Sequence, residues 1–69
     1  MNIKIKLSDG VKHILLFDDK EELDSFVEYL TQCIDQGCPC AFEGEVDEFK
    51  VWGKIVFNPR HILFFEVVE

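Results

Sequence analysis

Three cysteines near the middle of the chain, Cys33, Cys38 and Cys40, are the residues best able to do chemistry. Zinc sites need about four thiolate or imidazole ligands, commonly supplied as pairs with about two to four residues between them. Here Cys38-Pro39-Cys40 is a tighter pair, and no second pair accompanies it. The spacing therefore predicts three unligated thiols and no cofactor. A metal site formed by Cys38, Cys40 and Cys33 is the alternative.

The two histidines, His13 and His61, are the other side chains that could transfer protons near neutral pH. A lone histidine on a strand or in a turn is more often a polar surface residue. The sequence shows no nucleophile paired with a base, and no glycine-rich loop of the kind that binds phosphate. These observations predict a non-catalytic protein.

Acidic residues outnumber basic residues by 14 to 7, which gives a formal net charge of −7. Nucleic-acid binding needs a basic face, so the composition argues against it. Solubility is the common explanation of such charge, but a protein partner with a basic surface and imitation of nucleic acid both stay open. The acidic cluster best suited to recognition is Glu43, Glu45, Asp47 and Glu48, for which a solvated loop is the alternative.

The start of the chain, its hydropathy and its cysteine count bear on the cellular compartment. Met1 leads into the alternating Ile3-Lys4-Ile5-Lys6, which is unlike the apolar segment of a signal peptide. No stretch approaches the roughly 18 apolar residues of a membrane-spanning helix. An odd number of cysteines suits a reducing environment. The sequence predicts a cytoplasmic protein without membrane contact.

An amphipathic helix at residues 19–36 organises the rest of the chain. Asp18 or Asp19 can cap its start, since each has a glutamate three residues later. Gly37 can end it in a left-handed conformation. Apolar residues recur along one side at helical spacing, and these are Leu23, Phe26, Val27, Leu30 and Ile34.

Two strands precede the helix, at residues 2–7 and 11–17. Asp9-Gly10 between them is the preferred dipeptide of a two-residue hairpin turn. With that turn, Leu15 and Phe17 lie on the face of the sheet that points away from the helix. A three-residue loop would shift the register by one residue and exchange the faces of the second strand.

Further extended segments follow the helix. Residues 41–48 suit either an irregular strand or a loop, while residues 49–52 and 54–57 are more clearly extended. Asn58-Pro59 predicts a turn, because asparagine favours turn initiation and proline fixes φ. Ile62–Val68 is the closing strand.

The closing strand is apolar on both faces. One helix can cover only one face of a small antiparallel sheet, so the other face needs a second subunit or a target protein, or it is a tolerated exposed patch. Leu15, Phe17 and Trp52 are expected to add to this second face. One face of the closing strand carries Leu63, Phe65 and Val67. The other face carries Ile62, Phe64 and Val68.

The segment from Phe57 to Ile62 reads Phe-Asn-Pro-Arg-His-Ile, and with it the chain resembles small uncharacterised bacterial and phage proteins. In these proteins a strand, an Asp-Gly turn, a strand and an amphipathic helix precede strands with an Asn-Pro-x-x-Ile corner. The turn at Ser8-Asp9-Gly10 and the helix start at Glu21-Glu22-Leu23 are similar too. The resemblance implies a compact, phage-encoded α+β module and carries over no functional residues.

Together these observations predict one α+β domain spanning residues 1–69, ordered β-β-α-β-β-β, with the helix on one face of an antiparallel sheet. The predicted function is a non-catalytic homodimer that binds and inhibits or modulates another protein. The alternative is a module that sequesters a nucleotide-like small molecule between subunits, using Arg60, His61 and Trp52. The predicted interface consists of Leu63, Phe65, Val67, Leu15, Phe17, Trp52, Glu43, Glu45, Asp47 and Glu48.

Overall fold

The computed structural model describes residues 1–46 and 51–69. These residues form a small α+β fold with a single helix and a five-stranded antiparallel sheet. Asp47 and Glu48 lie outside the described residues. The elements are β1 (Asn2–Leu7), β2 (Lys12–Leu16), α1 (Lys20–Gln36), β3 (Cys40–Val46), β4 (Val51–Phe57) and β5 (Ile62–Val68). Across the sheet the strands lie in the order β4-β3-β2-β1-β5.

The helix α1 begins and ends where the sequence predicts. Asp19 caps its start, and the Asp19 Oδ1 accepts the N–H of Glu22 at 2.8 Å. Gly37 ends it with a φ of 70°, a left-handed conformation that glycine adopts without strain. The N–H of Gly37 donates to the carbonyl of Cys33. No helix in the described part of the chain is long and apolar enough to cross a membrane.

The hairpin between β1 and β2 has a three-residue loop instead of the predicted two-residue turn. The N–H of Leu7 donates to the carbonyl of Val11 at 2.9 Å, which leaves Ser8, Asp9 and Gly10 in the loop. Gly10 has a φ of 90°, and the Asp9 Oδ1 accepts the N–H of Val11 at 2.9 Å. Both features stabilise the longer loop.

The longer loop shifts the register by one residue and exchanges the two faces of β2. Leu15 lies opposite Ile3 and is fully buried on the helix side. Phe17 packs against Phe26 and Phe42, with ring centroids 5.6 and 5.4 Å apart. The prediction that Leu15 and Phe17 lie on the face away from the helix is therefore wrong.

The two faces of β5 are also exchanged relative to the prediction. Phe65 lies opposite Ile5, and Val67 lies opposite Ile3. Ile3 and Ile5 are buried against the helix, so Phe65 and Val67 lie on the helix side too. The prediction that Phe65 and Val67 line the second face is wrong.

A β-bulge at the start of β5 explains this exchange. Lys6 pairs with Phe64, but the next residue, Leu7, pairs with Ile62. Leu63 is thus an extra residue without a partner in the ladder, and it is 61% exposed. The bulge lets Ile62 face the core while Phe64 faces away from it.

The core lies between α1 and the helix side of the sheet. Cys33 is buried in it near the end of the helix. Ile34, predicted as part of the apolar stripe, is instead 43% exposed. Fully burying an aliphatic side chain stabilises a fold by about 1.5–3 kcal/mol. The largest fully buried side chains are Ile3, Ile5, Leu15, Leu23, Leu30 and Cys40.

The strand β3 pairs with β4 along its whole length, so residues 41–46 form a regular strand and not a loop. Gly44 lies opposite Gly53, through which β4 continues without interruption. A Cβ at Gly44 would lie 2.9 Å from the ring of Phe42. Glycine therefore leaves room for the Phe42 ring, which forms part of the aromatic cluster under the helix.

Candidate interaction surface

The side of the sheet that faces away from α1, here named the open face, carries large apolar side chains. Trp52, Val56 and Phe64 are 69%, 62% and 54% exposed. Trp52 and Val56 alternate along β4 with Ile55 and Phe57, which pack in the core. The helical cover of the described sheet lies on its other side, so the open face keeps this apolar surface in contact with water.

The basic part of the open face lies on β1 and β2. Lys6 is directly opposite Lys12, and Lys4 follows on the same side of β1. Like charges directly opposite each other destabilise an antiparallel pair. The three lysines line a cavity of about 400 Å³ together with Phe64 and Glu66. This cavity therefore concentrates positive charge in an otherwise acidic protein.

The acidic part of the open face lies on β3. Glu43 is opposite Lys54 and Glu45 is opposite Trp52, and all four side chains are exposed. The two ion pairs among the described residues both use Lys20, which is not on the sheet. The charged side chains of the open face thus have no ion pair within the described ranges.

A larger cleft of about 720 Å³ lies between the first half of α1 and β3. Phe17, Phe26 and Phe42 form its floor, with ring centroids 5.4 to 5.6 Å apart. The Tyr29 Oη accepts the N–H of Ala41 at 3.2 Å and ties the helix to the strand. The rim is acidic, and no described lining residue is basic. The acidic lining residues are Asp18, Glu21 and Glu22 beside the helix, and Glu43 and Glu45 on β3, whose side chains alternate with buried Phe42, Gly44 and Val46 and so lie on the open face.

The lining of this cleft bears on the alternative of a nucleotide-like ligand. Carboxylates repel phosphate, so the cleft does not suit a nucleotide. The Arg60 side chain lies beside Gly37 at the end of α1, and His61 follows it in the 3₁₀ turn Pro59–His61. Trp52 lies on β4 opposite Glu45 and borders the cleft from that strand, near the first half of the helix. Within one chain, the structure does not bring Arg60 and Trp52 together.

The three cysteines are free and lie in different surroundings. Cys38 is exposed, with its Sγ 3.8 Å from the Gln36 Oε1, whereas Cys33 and Cys40 are buried. Burial and the neighbouring Cys33 raise the pKa of the Cys40 thiol to about 12, although a hydrogen bond with Tyr29 acts in the opposite direction. Cys40 is therefore a neutral thiol at physiological pH, and a poor metal ligand or nucleophile.

The open face contains part of the predicted interface. Trp52, Glu43 and Glu45 lie on it, and Leu63, the extra residue of the bulge in the edge strand β5, is exposed. The predicted residues Asp47 and Glu48 lie outside the described ranges. The predicted interface left out other residues of the open face, among them Lys6, Lys12, Val56 and Phe64.

Sequence signals exist for some of the missed residues. The alternation of Trp52, Lys54 and Val56 along β4 puts all three on one face, so the pattern could have identified Val56. Phe64 depends on the bulge, for which the sequence carries no clear marker. The opposition of Lys6 and Lys12 depends on the three-residue hairpin loop.

Neither a metal centre nor a known relative identifies this surface. In the ranges 1–46 and 51–69, no group of three or more His, Cys, Asp or Glu side chains is arranged to hold a metal ion. Protein-family models, curated proteins and solved structures were each compared with the chain, and none of them matches it.

Proposed function

We propose that the chain is a non-catalytic protein-interaction module that forms a homodimer through its open face. The observation that carries this proposal is the exposure of Trp52, Val56 and Phe64 on the side of the sheet that α1 does not cover. Removing apolar surface from water contributes about 25 cal/mol per Å². A second copy seated on this face would bury all three side chains.

The size of the chain supports self-association. A domain of about this length buries only ~60% of the surface of its unfolded chain, and many such domains gain stability from oligomerisation. Two sheets packed face to face would create a second apolar layer without any lengthening of the chain. The helices would then form the outer layers of the dimer.

The outer surface of α1 is the proposed site for another protein. It stays exposed in such a dimer, and its charge would attract a partner with a basic surface. The proposed role is to bind this partner and to inhibit or modulate it. The exposed acidic residues at the helix start and along the helix are Asp19, Glu21, Glu22, Asp24, Glu28 and Asp35.

Sedimentation velocity over a concentration series tests the homodimer. The wild-type chain is expected to dimerise reversibly, and Phe64→Ser to raise the dissociation constant at least about tenfold, which corresponds to ~1.4 kcal/mol. Phe64 is suited to this test because it is exposed on the open face and contributes little to the core.

Ile34→Ser is the matched control, since Ile34 is 43% exposed but lies on α1. It is expected to leave the dissociation constant unchanged. A wild-type chain that stays monomeric up to about 1 mM would contradict the proposal. An equal effect of the two substitutions on the dissociation constant would contradict it as well, because the open face would then contribute no more to dimerisation than the surface of α1.

A further inference from the structure

We propose that the cavity lined by Lys4, Lys6 and Lys12 receives the Glu43 and Glu45 carboxylates of a second copy of the chain. This inference rests on the proposed homodimer and gives its two subunits a defined relative orientation. The interface would then consist of an apolar surface and two equivalent sets of opposite charges.

The lysine cavity is the first reason for this orientation. Lys6 and Lys12 are directly opposite each other, and no described residue forms an ion pair with them. Opposed like charges are unfavourable unless anions lie between them. The cavity of about 400 Å³ at this position has room for carboxylate side chains. Its electrostatics therefore favour an anionic partner.

The positions of the two charged groups are the second reason. Lys6 and Lys12 lie at the hairpin end of the open face, next to the loop between β1 and β2. The described pairing of β2 with β3 is Leu15 with Val46, so Glu45 is level with Leu16 at the end of β2 and Glu43 extends past it. The basic and acidic groups thus lie at different ends of the same face.

This separation makes the open face complementary to itself. A twofold axis that lies in the interface between the two groups sets each basic group against the acidic group of the other copy. Orientations that bring basic groups together are disfavoured, because like charges across an interface repel. Charge thus selects one arrangement of the two copies.

The area of the face is compatible with such a dimer. Five strands about 4.8 Å apart and seven residues of about 3.3 Å each give a projected area on the order of 500 Å². Standard interfaces bury about 800 Å² per partner, and the relief of side chains adds to the projected value. The expected dimer is therefore a reversible one.

The edges of the sheet offer a different route to a dimer. β4 and β5 are the edge strands, and an exposed edge can pair with another chain. Edge pairing would extend the sheet but leave Trp52 and Phe64 in water. It would also leave the three lysines of the cavity with Glu66 as the one acidic residue of the described lining, so the observations favour the face-to-face arrangement.

A pair of charge-reversed chains tests the orientation. The first is Lys6→Glu with Lys12→Glu, which takes the formal charge from −7 to −11; the second is Glu43→Lys with Glu45→Lys, which takes it to −3. Each variant alone would oppose like charges across the interface. When the two are mixed, both sets of contacts pair opposite charges again.

Sedimentation velocity is expected to show that each variant alone is monomeric at concentrations where the wild type is dimeric, and that an equimolar mixture forms a heterodimer. Both chains keep a net negative charge, so overall attraction cannot produce this result. Far-ultraviolet circular dichroism of each variant establishes that it is folded.

Glu28→Lys with Asp35→Lys is the control chain, because it also has a formal charge of −3 but carries its new lysines on α1. It is expected not to pair with the Lys6→Glu, Lys12→Glu chain. If the reversed variants dimerise like the wild type, or if their mixture stays monomeric, the orientation is wrong while the homodimer stands. If the wild type itself is monomeric, the proposed homodimer fails too.

Discussion

At the scale of single residues, the buried thiol of Cys40 makes stability depend on pH. Burial and the nearby Cys33 raise its pKa from an ordinary value of 9.0 to about 12. The folded protein therefore holds a proton that the unfolded chain releases at high pH. The stabilisation is complete below about pH 9 and is lost as the pH rises toward about 12.

The expected result is a steep loss of stability at alkaline pH that requires Cys40. Between about pH 9 and pH 12, the free energy of unfolding of the wild type should fall faster than that of Cys40→Ala, by up to about 1.4 kcal/mol per pH unit. Urea unfolding at several pH values measures this difference.

Cys38→Ala is the control, since its thiol is already exposed. It should keep the slope of the wild type. A Cys40→Ala curve that runs parallel to the wild-type curve would show that the Cys40 thiol is not the cause.

The surroundings of the cysteines could be predicted only in part. The helical spacing of Cys33 indicates burial, because it lies one turn after Leu30 on the apolar side of α1. The proximity of Cys33 to Cys40 arises from the packing of α1 on β3, which no local pattern specifies. The sequence therefore indicates where each cysteine lies, but not that two of them meet.

At the scale of secondary-structure elements, Gly37 determines where α1 ends. Its φ of 70° is one that other residues adopt only with strain, and a Cβ there would lie 3.4 Å from the Arg60 side chain. Gly37→Ala is therefore expected to lower the free energy of unfolding by about 1 kcal/mol. Urea denaturation measures the change.

Gly53→Ala is the matched control for this substitution. Gly53 lies in β4 with an ordinary φ, and a Cβ there would be 3.7 Å from the nearest atom, in Val46. Its substitution is expected to be neutral or slightly stabilising, because alanine loses less backbone entropy than glycine on folding. An equal loss of stability at both glycines would refute the explanation by backbone conformation.

The helix could be predicted from the sequence more accurately than the strand registers. Its ends depend on local chemistry, namely the cap at Asp19 and the left-handed Gly37. The faces of β2 depend on one residue of loop length, and those of β5 depend on one bulge. Because side chains alternate along a strand, each of these one-residue differences exchanges a whole face.

At the scale of the whole molecule, the sequence was enough to predict that the sheet has more apolar surface than one helix can cover. It was not enough to predict which side chains form most of that surface. The closing strand is apolar on both faces, and a single helix covers only one side of the sheet. This argument holds in either register. The identity of the exposed side chains does depend on register, so Phe64 is exposed where Phe65 was expected.

The proposed dimer is a four-layer molecule with the two sheets inside and the two helices outside. Its inner layers contain the apolar side chains of both open faces, and its outer layers present the acidic surface of α1. Self-association and recognition of a basic partner would thus use opposite sides of each subunit. A partner bound to the helices would leave the dimer intact.

The fluorescence of Trp52 tests the central claim, that a second copy covers the open face, most directly. Trp52 is the only tryptophan of the chain and is 69% exposed on this face. As the protein concentration rises through the dimerisation range, quenching by iodide is expected to decrease and the emission to shift to shorter wavelength. Quenching and emission that stay constant while sedimentation shows a dimer would contradict the claim, because the subunits would then meet elsewhere.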